Sequence, residues 1–255
     1  MGRKVIILAG GKGKRLGELT DQTPKPLMKI GGYPIIWHIM KIYASYGFKE
    51  FILCLGYKAD LIKSYFFHYN SRKNDFTIDL ANSNIEFHNN VSEDWKVSLI
   101  DTGLNTPKGG RVKKIEPYLD SDINMLTYAD GLADINIREL LEFHKHHGKA
   151  LTITGVPHSS KFGEIIEKSG KVLSFKEKPN ASLINGGFMV FNNKFLERLN
   201  NNSKLEKTIL RELSKQGEVM VYKHKGNWAC MDNFKDFLHL NSLWEQNKAF
   251  WKNWQ

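Results

Sequence analysis

Near its N-terminus, this chain of 255 residues carries the stretch Lys4-Val-Ile-Ile-Leu-Ala-Gly-Gly-Lys-Gly-Lys-Arg-Leu16. The apolar run Val5–Leu8, rich in β-branched residues, is typical of a buried strand. It ends in a loop with three glycines, where main-chain N–H groups can approach an anion closely. Lys12 and Arg15 add positive charge around this loop. A strand followed by such a loop predicts a polyphosphate-binding site.

A second cation follows in Thr23-Pro-Lys-Pro26. Proline fixes its own φ and restricts the preceding residue, so Lys25 is held on a stiff segment. Taken alone, these residues are better interpreted as an ordinary proline-rich turn. Beside the glycine loop, we predict that Lys25 binds phosphate.

The next elements alternate between helix and strand. Helical patterns over 34–46 and 60–69 flank an apolar strand at 51–55. A β-loop-α-β-α order predicts parallel strands with right-handed crossovers. We therefore expect an α/β fold: a Rossmann-like, mainly parallel mixed sheet flanked by helices, forming a single domain over 1–255.

Three segments depart from this alternation. The polar segment 70–95 predicts a small antiparallel β-ribbon inserted in the domain, and 163–177 predicts a hairpin. The segment 234–255 predicts a C-terminal helix and an aromatic tail that packs on the body of the protein or on another subunit. The ribbon and the tail together suggest a homo-oligomer.

Composition limits the classes of partner. The hydrophobic fraction of 41% suits a globular core, and the net charge of +10 favours anionic ligands. The basic residues are scattered, so we expect no nucleic-acid partner. No apolar run approaches the length of a membrane span and no signal peptide is visible, which predicts a cytoplasmic protein without a membrane partner. Cys54 and Cys230 are far apart and predict neither a disulfide nor a zinc cluster.

Acidic residues and glycine loops mark further candidates. Asp130 follows the apolar strand 124–128, at the edge where open α/β sheets bind ligands, and is the better metal candidate. Asp134 is better explained by turn chemistry beside the helix cap Asn136. Lys108-Gly-Gly-Arg111 is interpreted as a tight loop that either contacts a base or is a plain turn.

An ordered set of motifs resembles the sugar nucleotidyltransferases, which form nucleoside-diphosphate sugars. In chain order they are Gly10-Gly11-x-Gly-x-Arg15-Leu16, Pro24-Lys25-Pro26, Tyr128-Ala-Asp130-Gly, Glu177-Lys178-Pro179, Asn185-Gly-Gly187 and Met231-Asp232. The stretches 37–43, 95–103 and 109–111 and the tail are similar to the glucose-1-phosphate cytidylyltransferase branch. The resemblance spans essentially the whole chain.

This resemblance implies transfer of a cytidylyl group from CTP to a sugar 1-phosphate, with Mg²⁺ as cofactor. Arg15 and Lys25 would be catalytic, and Asp130 and Asp232 would bind the metal. The implied nucleotide-binding residues are Leu8, Ala9, Gly10, Gly11, Lys12, Gly13, Lys14, Gly110, Arg111 and Asp130, with Gly110 and Arg111 reading the base. The implied acceptor-binding residues are Tyr128, Glu177, Lys178, Asn185 and Gly186.

Some positions depart from the family pattern. Lys14 stands where threonine is usual, and Leu183 replaces a tryptophan that would offer stacking surface to a sugar ring. Because the departures affect the acceptor side most, three alternatives stay open. The acceptor is glucose 1-phosphate, or it is another sugar phosphate or a non-sugar phosphate, or the protein binds nucleotide without catalysis.

Overall fold

Seven strands form a mixed sheet at the centre of the molecule. The computed structural model describes residues 2–17, 19–158, 164–176 and 182–254. Within them, the strands are β1 (Val5–Leu8), β2 (Lys29–Ile30), β3 (Tyr33–Pro34), β4 (Glu50–Leu55), β5 (Phe76–Asp79), β6 (Asn84–Phe87), β7 (Lys96–Asp101), β8 (Ile123–Tyr128), β9 (Gly131–Ala133), β10 (Leu151–His158), β11 (Glu164–Lys168), β12 (Lys171–Lys176), β13 (Ser182–Asn192), β14 (Val219–Lys223) and β15 (Trp228–Cys230).

Helices cover both faces of this sheet. They are α1 (Leu19–Gln22), α2 (Ile35–Ala44), α3 (Ala59–Phe67), α4 (Tyr69–Lys73), α5 (Lys108–Lys114), α6 (Ile137–His147), α7 (Asn193–Leu196), α8 (Leu210–Lys215) and α9 (Phe234–Glu245), and a π-helical turn spans Leu205–Ile209. In the described part of the chain, no helix combines the length and the apolar character that crossing a membrane requires.

The strand order in the central sheet is β14-β10-β13-β8-β1-β4-β7. Strands β8, β1, β4 and β7 are parallel to one another, and β10 is parallel to β14. Strand β13 runs antiparallel to both β10 and β8. The predicted mainly parallel, mixed α/β sheet is therefore confirmed. The predicted hairpin near 163–177 is also present, as β11 paired with β12.

Strand β1 is buried along its whole length because both of its faces are covered. Side chains of a strand alternate between the two faces. Val5 and Ile7 therefore join the core that contains helix α2, and Ile6 joins the core that contains Val112 of α5. A parallel strand covered on both sides explains the continuous apolar run in the sequence.

One predicted loop is wrong. Residues 108–111 begin helix α5 after Pro107. A Cβ atom on Gly110 would lie 2.1 Å from the carbonyl oxygen of Asn201, and one on Gly109 would lie 2.7 Å from that of Ser203. These glycines allow a helix to pack closely against a backbone segment, and sequence alone does not separate this use from a turn.

The aromatic tail packs on the body of the protein, which is one of the two positions that the sequence predicted for it. Trp251 is fully buried, and its indole N–H donates to His38 Nδ1 over 3.3 Å. His38 Nε2 bonds to the carbonyl oxygen of Ile30 over 2.8 Å, so the ring is held in one neutral tautomer. Burial lowers the pKa of His38 to about 4. The end of the chain thus completes the core around helix α2.

Candidate active site

A cleft of about 600 Å³ lies at the carboxyl ends of β1 and β8. Ligands of open α/β sheets bind at this edge, because the loops after parallel strands meet there. The cleft is lined by most of the predicted site residues: Leu8, Ala9, Gly10, Gly11, Gly13, Arg15, Lys25, Arg111, Tyr128, Asp130, Asn185, Gly186 and Asp232.

Lys25 lies at the centre of the charged groups in the cleft. Its Nζ is 2.7 Å from a carboxylate oxygen of Asp130 and 3.0 Å from one of Asp232. Burial by itself lowers the pKa of Lys25, but the charge and hydrogen bond of Asp130 outweigh it, with help from Asp232, so the pKa is raised. Lys25 is therefore a fixed positive charge, and the two carboxylates face one common position.

The pairing of two short strands brings these carboxylates together. Asp130 directly precedes β9, and Asp232 closely follows β15. In the β9–β15 ladder Cys230 is opposite Gly131, and the N–H of Met231 donates to the carbonyl oxygen of Asp130 over 2.9 Å. Residues about 100 positions apart in sequence thus become neighbours.

Arg15 forms an ion pair with Asp232, although its side chain is 78% exposed. Exposed pairs of this kind contribute little stability. The guanidinium is therefore free to exchange Asp232 for an anion that enters the cleft.

The side chain of Arg111 holds the glycine loop in place by hydrogen bonds. This guanidinium is almost fully buried, and it donates to the carbonyl oxygens of Gly10, Leu55 and Leu104 and to the hydroxyl of Thr102. Four of its five N–H groups can be satisfied in this way. Arg111 lines the cleft, but its side chain mainly supports the loop after β1.

Tyr128, which also lines the cleft, contacts residues from three elements. Its hydroxyl donates to Glu206 over 2.9 Å and accepts from Asn185 Nδ2 over 3.3 Å. Glu206 also pairs with Lys108, whose Nζ lies 4.3 Å from the centre of the Tyr128 ring. Burial, and then the charge of Glu206, raise the pKa of Tyr128. Tyr128 is thus a neutral hydroxyl held in one orientation.

The backbone at Gly186 forms the wall beside this cluster. Its carbonyl oxygen accepts a hydrogen bond from the indole of Trp228 over 2.8 Å, and a Cβ atom there would lie 2.7 Å from Val156. Trp228 therefore supplies an aromatic surface near Asn185, while Leu183 is 42% exposed.

Other predicted residues lie elsewhere. Lys12 is exposed outside the cleft, and Gly110 is buried against Asn201. Glu177, Lys178 and the side chain of Lys14 are outside the described residues. Asp134 does not line the cleft, and its carboxylate accepts two hydrogen bonds from Asn227, 93 residues along the chain, where the sequence predicted a local turn contact.

Comparison with known proteins identifies the family. A family model described as nucleotidyl transferase matches residues 4–250. The chain belongs to the nucleotidyl transferase family. It is 43% identical to a glucose-1-phosphate cytidylyltransferase of Salmonella typhimurium, covering 99% of this chain and 100% of that one. It is 41% identical to a probable glucose-1-phosphate cytidylyltransferase of Bacillus subtilis, covering 98% and 100%.

The fold of this nucleotidyltransferase also resembles solved structures. HddC from Yersinia pseudotuberculosis superimposes with a TM-score of 0.70 at 22% identity, covering 95% of this chain and 99% of that one. At this identity the likeness concerns the fold alone.

The donor set of this nucleotidyltransferase fits a divalent cation. Asp130 and Asp232 each offer a carboxylate oxygen toward one position, and these oxygens and Cys230 Sγ lie within 4.8 Å of one another. Carboxylate oxygens suit hard cations, which complete their coordination with phosphate oxygens and water. The bridging ammonium of Lys25 shows that both carboxylates can face one positive group.

Sequence reasoning did not select Lys108, Trp228 or Cys230 as site residues, yet all three line the cleft. Cys230 precedes the predicted metal ligand Asp232 by two positions, which is the signal that could have found it. Lys108 and Trp228 carry no such signal, because their places depend on how α5 and β15 pack.

Proposed function

We propose that this protein transfers the cytidylyl group of CTP to glucose 1-phosphate, with CDP-glucose and pyrophosphate as products. The observation that carries the proposal is the ammonium of Lys25, held between Asp130 and Asp232 beside the glycine loop. The family supports nucleotidyl transfer, and the names of the two cytidylyltransferase relatives support the choice of CTP and glucose 1-phosphate.

The reaction is an in-line displacement at phosphorus. A phosphate oxygen of the sugar phosphate attacks the α-phosphorus of CTP, and the bond to the bridging oxygen of the β-phosphate breaks. Such reactions ask the protein for positioning and charge stabilisation more than for covalent chemistry. Fixed cations in a partly buried cleft provide both.

Arg15 and Lys25 would bind different phosphates of CTP. Arg15, exposed at the mouth of the cleft, would hold the β- and γ-phosphates that leave. Lys25 would neutralise charge that develops on the α-phosphate. Both side chains now pair with Asp232, so binding of CTP would exchange carboxylate partners for phosphate partners. The main chain at Gly10 and Gly11, next to Leu8 and Ala9, would approach the nucleotide closely.

Asp130 and Asp232 would hold Mg²⁺. Their carboxylates would become available for the metal when Lys25 and Arg15 bind phosphate instead. When bound, Mg²⁺ would neutralise negative charge on the phosphate oxygens during transfer. The roles of Lys12, Gly13 and Lys14 toward the nucleotide stay predictions. Contact of Gly110 and Arg111 with the base also stays a prediction.

Tyr128, Asn185 and Gly186 would bind the acceptor. The Tyr128 hydroxyl and the Asn185 amide are hydrogen-bonded to each other, and both residues line the cleft. Glu177 and Lys178 would add contacts to the sugar hydroxyls and the acceptor phosphate. The exposed Leu183 leaves less aromatic surface here than the family pattern provides, and this favours a different phosphate acceptor as the second candidate.

We also propose that the protein forms a homo-oligomer through the ribbon β5–β6. Phe76 and Phe87 are 41% exposed on it, and Ile85 is 51% exposed. Apolar surface of this kind is typical of protein contacts. Sedimentation should show an oligomer that Ile85→Glu weakens, and a monomeric wild-type protein would contradict this proposal.

Pyrophosphate release tests the activity. Incubation with CTP, Mg²⁺ and a panel of phosphates should release pyrophosphate when glucose 1-phosphate is present. The control without any acceptor should release none. Turnover only with another phosphate would establish the second candidate. CTP binding without release in any pairing would identify a nucleotide-binding protein that does not catalyse. Replacing CTP by UTP or GTP in the same panel measures base preference.

A further inference from the structure

Cys230 is a cysteine side chain in the cleft that the proposed transfer does not use. Its Sγ and one carboxylate oxygen each of Asp130 and Asp232 lie within 4.8 Å of one another. The register of β15 against β9, with Cys230 opposite Gly131, holds it there.

The thiol of Cys230 is free to bind a ligand. It forms no disulfide, and the other cysteine, Cys54, is fully buried beneath Arg111. Cys230 itself is half-buried and lines the cleft together with Lys25 and Asp232. A cation bound by the two carboxylates would therefore have the thiol of Cys230 beside it as a third candidate ligand.

A third ligand of this kind changes the metal preference of the site. Two carboxylates favour Mg²⁺, which takes oxygen ligands and keeps several waters. Zn²⁺ and Co²⁺ accept thiolate together with oxygen ligands, and with three protein ligands they leave a position for phosphate or water.

We propose that Asp130, Cys230 and Asp232 form a mixed oxygen–sulfur site that binds thiophilic divalent cations, represented by Zn²⁺, in competition with Mg²⁺. The inference rests on the proposed assignment of Asp130 and Asp232 as metal ligands. Binding forms a metal–sulfur bond and breaks the S–H bond, and the proton passes to the solvent.

Lys25 decides when this site is available. Its ammonium now bridges the two carboxylates, and Arg15 also pairs with Asp232. A cation entering alone would meet this positive charge at close range. CTP offers both side chains phosphate partners, so the mixed site should bind metal more tightly when CTP is present.

Co²⁺ provides a direct spectroscopic test. Wild-type protein with CTP and no acceptor should develop a sulfur-to-cobalt charge-transfer band in the near ultraviolet when Co²⁺ is added. The band should be absent in Cys230→Ser and retained in Cys54→Ala, the matched control for the other cysteine. A wild-type protein without the band would overturn the proposal, and so would a band of full intensity in Cys230→Ser.

Zn²⁺ binding gives the affinity. Competition with a chromophoric chelator, in the presence of CTP, should show Zn²⁺ binding at least about tenfold weaker in Cys230→Ser than in wild type, since even outer partners of metal ligands contribute 10–100-fold. Equal affinities would overturn the proposal. Mg²⁺-supported pyrophosphate release by the wild-type protein tests the transfer activity separately, so the two results can fail independently.

Discussion

Arg111 donates a hydrogen bond to the carbonyl oxygen of Gly10 over 3.1 Å, although 101 residues separate them. The same guanidinium reaches the carbonyl oxygen of Leu55 over 2.7 Å, at the end of the neighbouring strand β4. It thereby ties the glycine loop to the sheet edge. It also occupies the space that a side chain at position 10 would need.

Replacing Gly10 therefore tests this contact. A Cβ atom at Gly10 would lie 2.2 Å from Arg111 Nη1, whereas one at Gly11 meets no atom within 4 Å. Gly10→Ala should lower the free energy of unfolding by about 1–3 kcal/mol, as overpacking does. Gly11→Ala should change it by less than about 0.5 kcal/mol. Urea unfolding measures both, and equal losses would show that Arg111 does not limit the space.

Asp130→Asn keeps the size of the side chain and removes its charge. We expect pyrophosphate release to fall by at least about 100-fold, since a divalent cation supplies several kcal/mol and each 1.4 kcal/mol is a factor of ten. The fold should persist. Asp94→Asn, which removes only an exposed ion pair with Lys49, is the control and should stay fully active. An active Asp130→Asn enzyme would refute the metal assignment.

His144 makes stability depend on pH. Its Nδ1 bonds to Thr152 over 2.9 Å, and its Nε2 is buried without a hydrogen-bond partner among the described residues. Burial, and then the nearby His147, lower the pKa of His144 to about 4. The unfolded chain therefore binds the proton at a higher pH than the folded chain does. The contribution of neutral His144 to the free energy of unfolding is fully present above pH 6.5 and is lost as the pH falls toward 4.

This loss amounts to about 3 kcal/mol at 1.36 kcal/mol for each pKa unit. The buried His38, whose pKa is also lowered to about 4, adds a loss of the same sign. His144→Asn retains a polar group toward Thr152 and cannot titrate. Its unfolding free energy, measured by urea at several pH values, should fall less steeply between pH 6.5 and 4 than that of the wild type. Parallel curves would contradict the assignment.

Trp251→Ala should be among the most damaging changes in the tail. Removing a large buried aromatic side chain costs about 3–5 kcal/mol, and Trp251 is fully buried against His38. Trp254 is only partly buried, so Trp254→Ala is the matched control and should lower the free energy of unfolding clearly less. Thermal and urea unfolding compare the two variants. A larger loss for Trp254→Ala would show that the contact with His38 is not the main anchor.

Local patterns predicted much of the fold because each rests on neighbours in sequence. Strand β1 has the expected bounds, and helix α6 begins after the expected cap, where Asn136 accepts hydrogen bonds from two backbone N–H groups. The glycines of α5 were misread because their constraint comes from Asn201, far along the chain.

The candidate site was only partly predictable for the same reason. Lys25, Asp130 and Asp232 could each be selected from their own surroundings and from family resemblance. Their mutual distances depend on the β9–β15 pairing, which no local pattern specifies. The support that Arg111 gives to Gly10 is likewise a long-range contact, and a cationic side chain in sequence does not reveal whether it faces a ligand or a carbonyl oxygen.

The bridge between Lys25 and Asp232 spans 207 residues, and the bond between His38 and Trp251 spans 213. During synthesis, Asp232 and Trp251 emerge from the ribosome after more than 200 residues have been translated. The cation position and the core around α2 are therefore completed by the same late segment. A chain terminated before that segment would keep the glycine loop but lack both the second carboxylate and the closing tryptophan. Incomplete translation products would then be both unstable and unable to complete the proposed transfer.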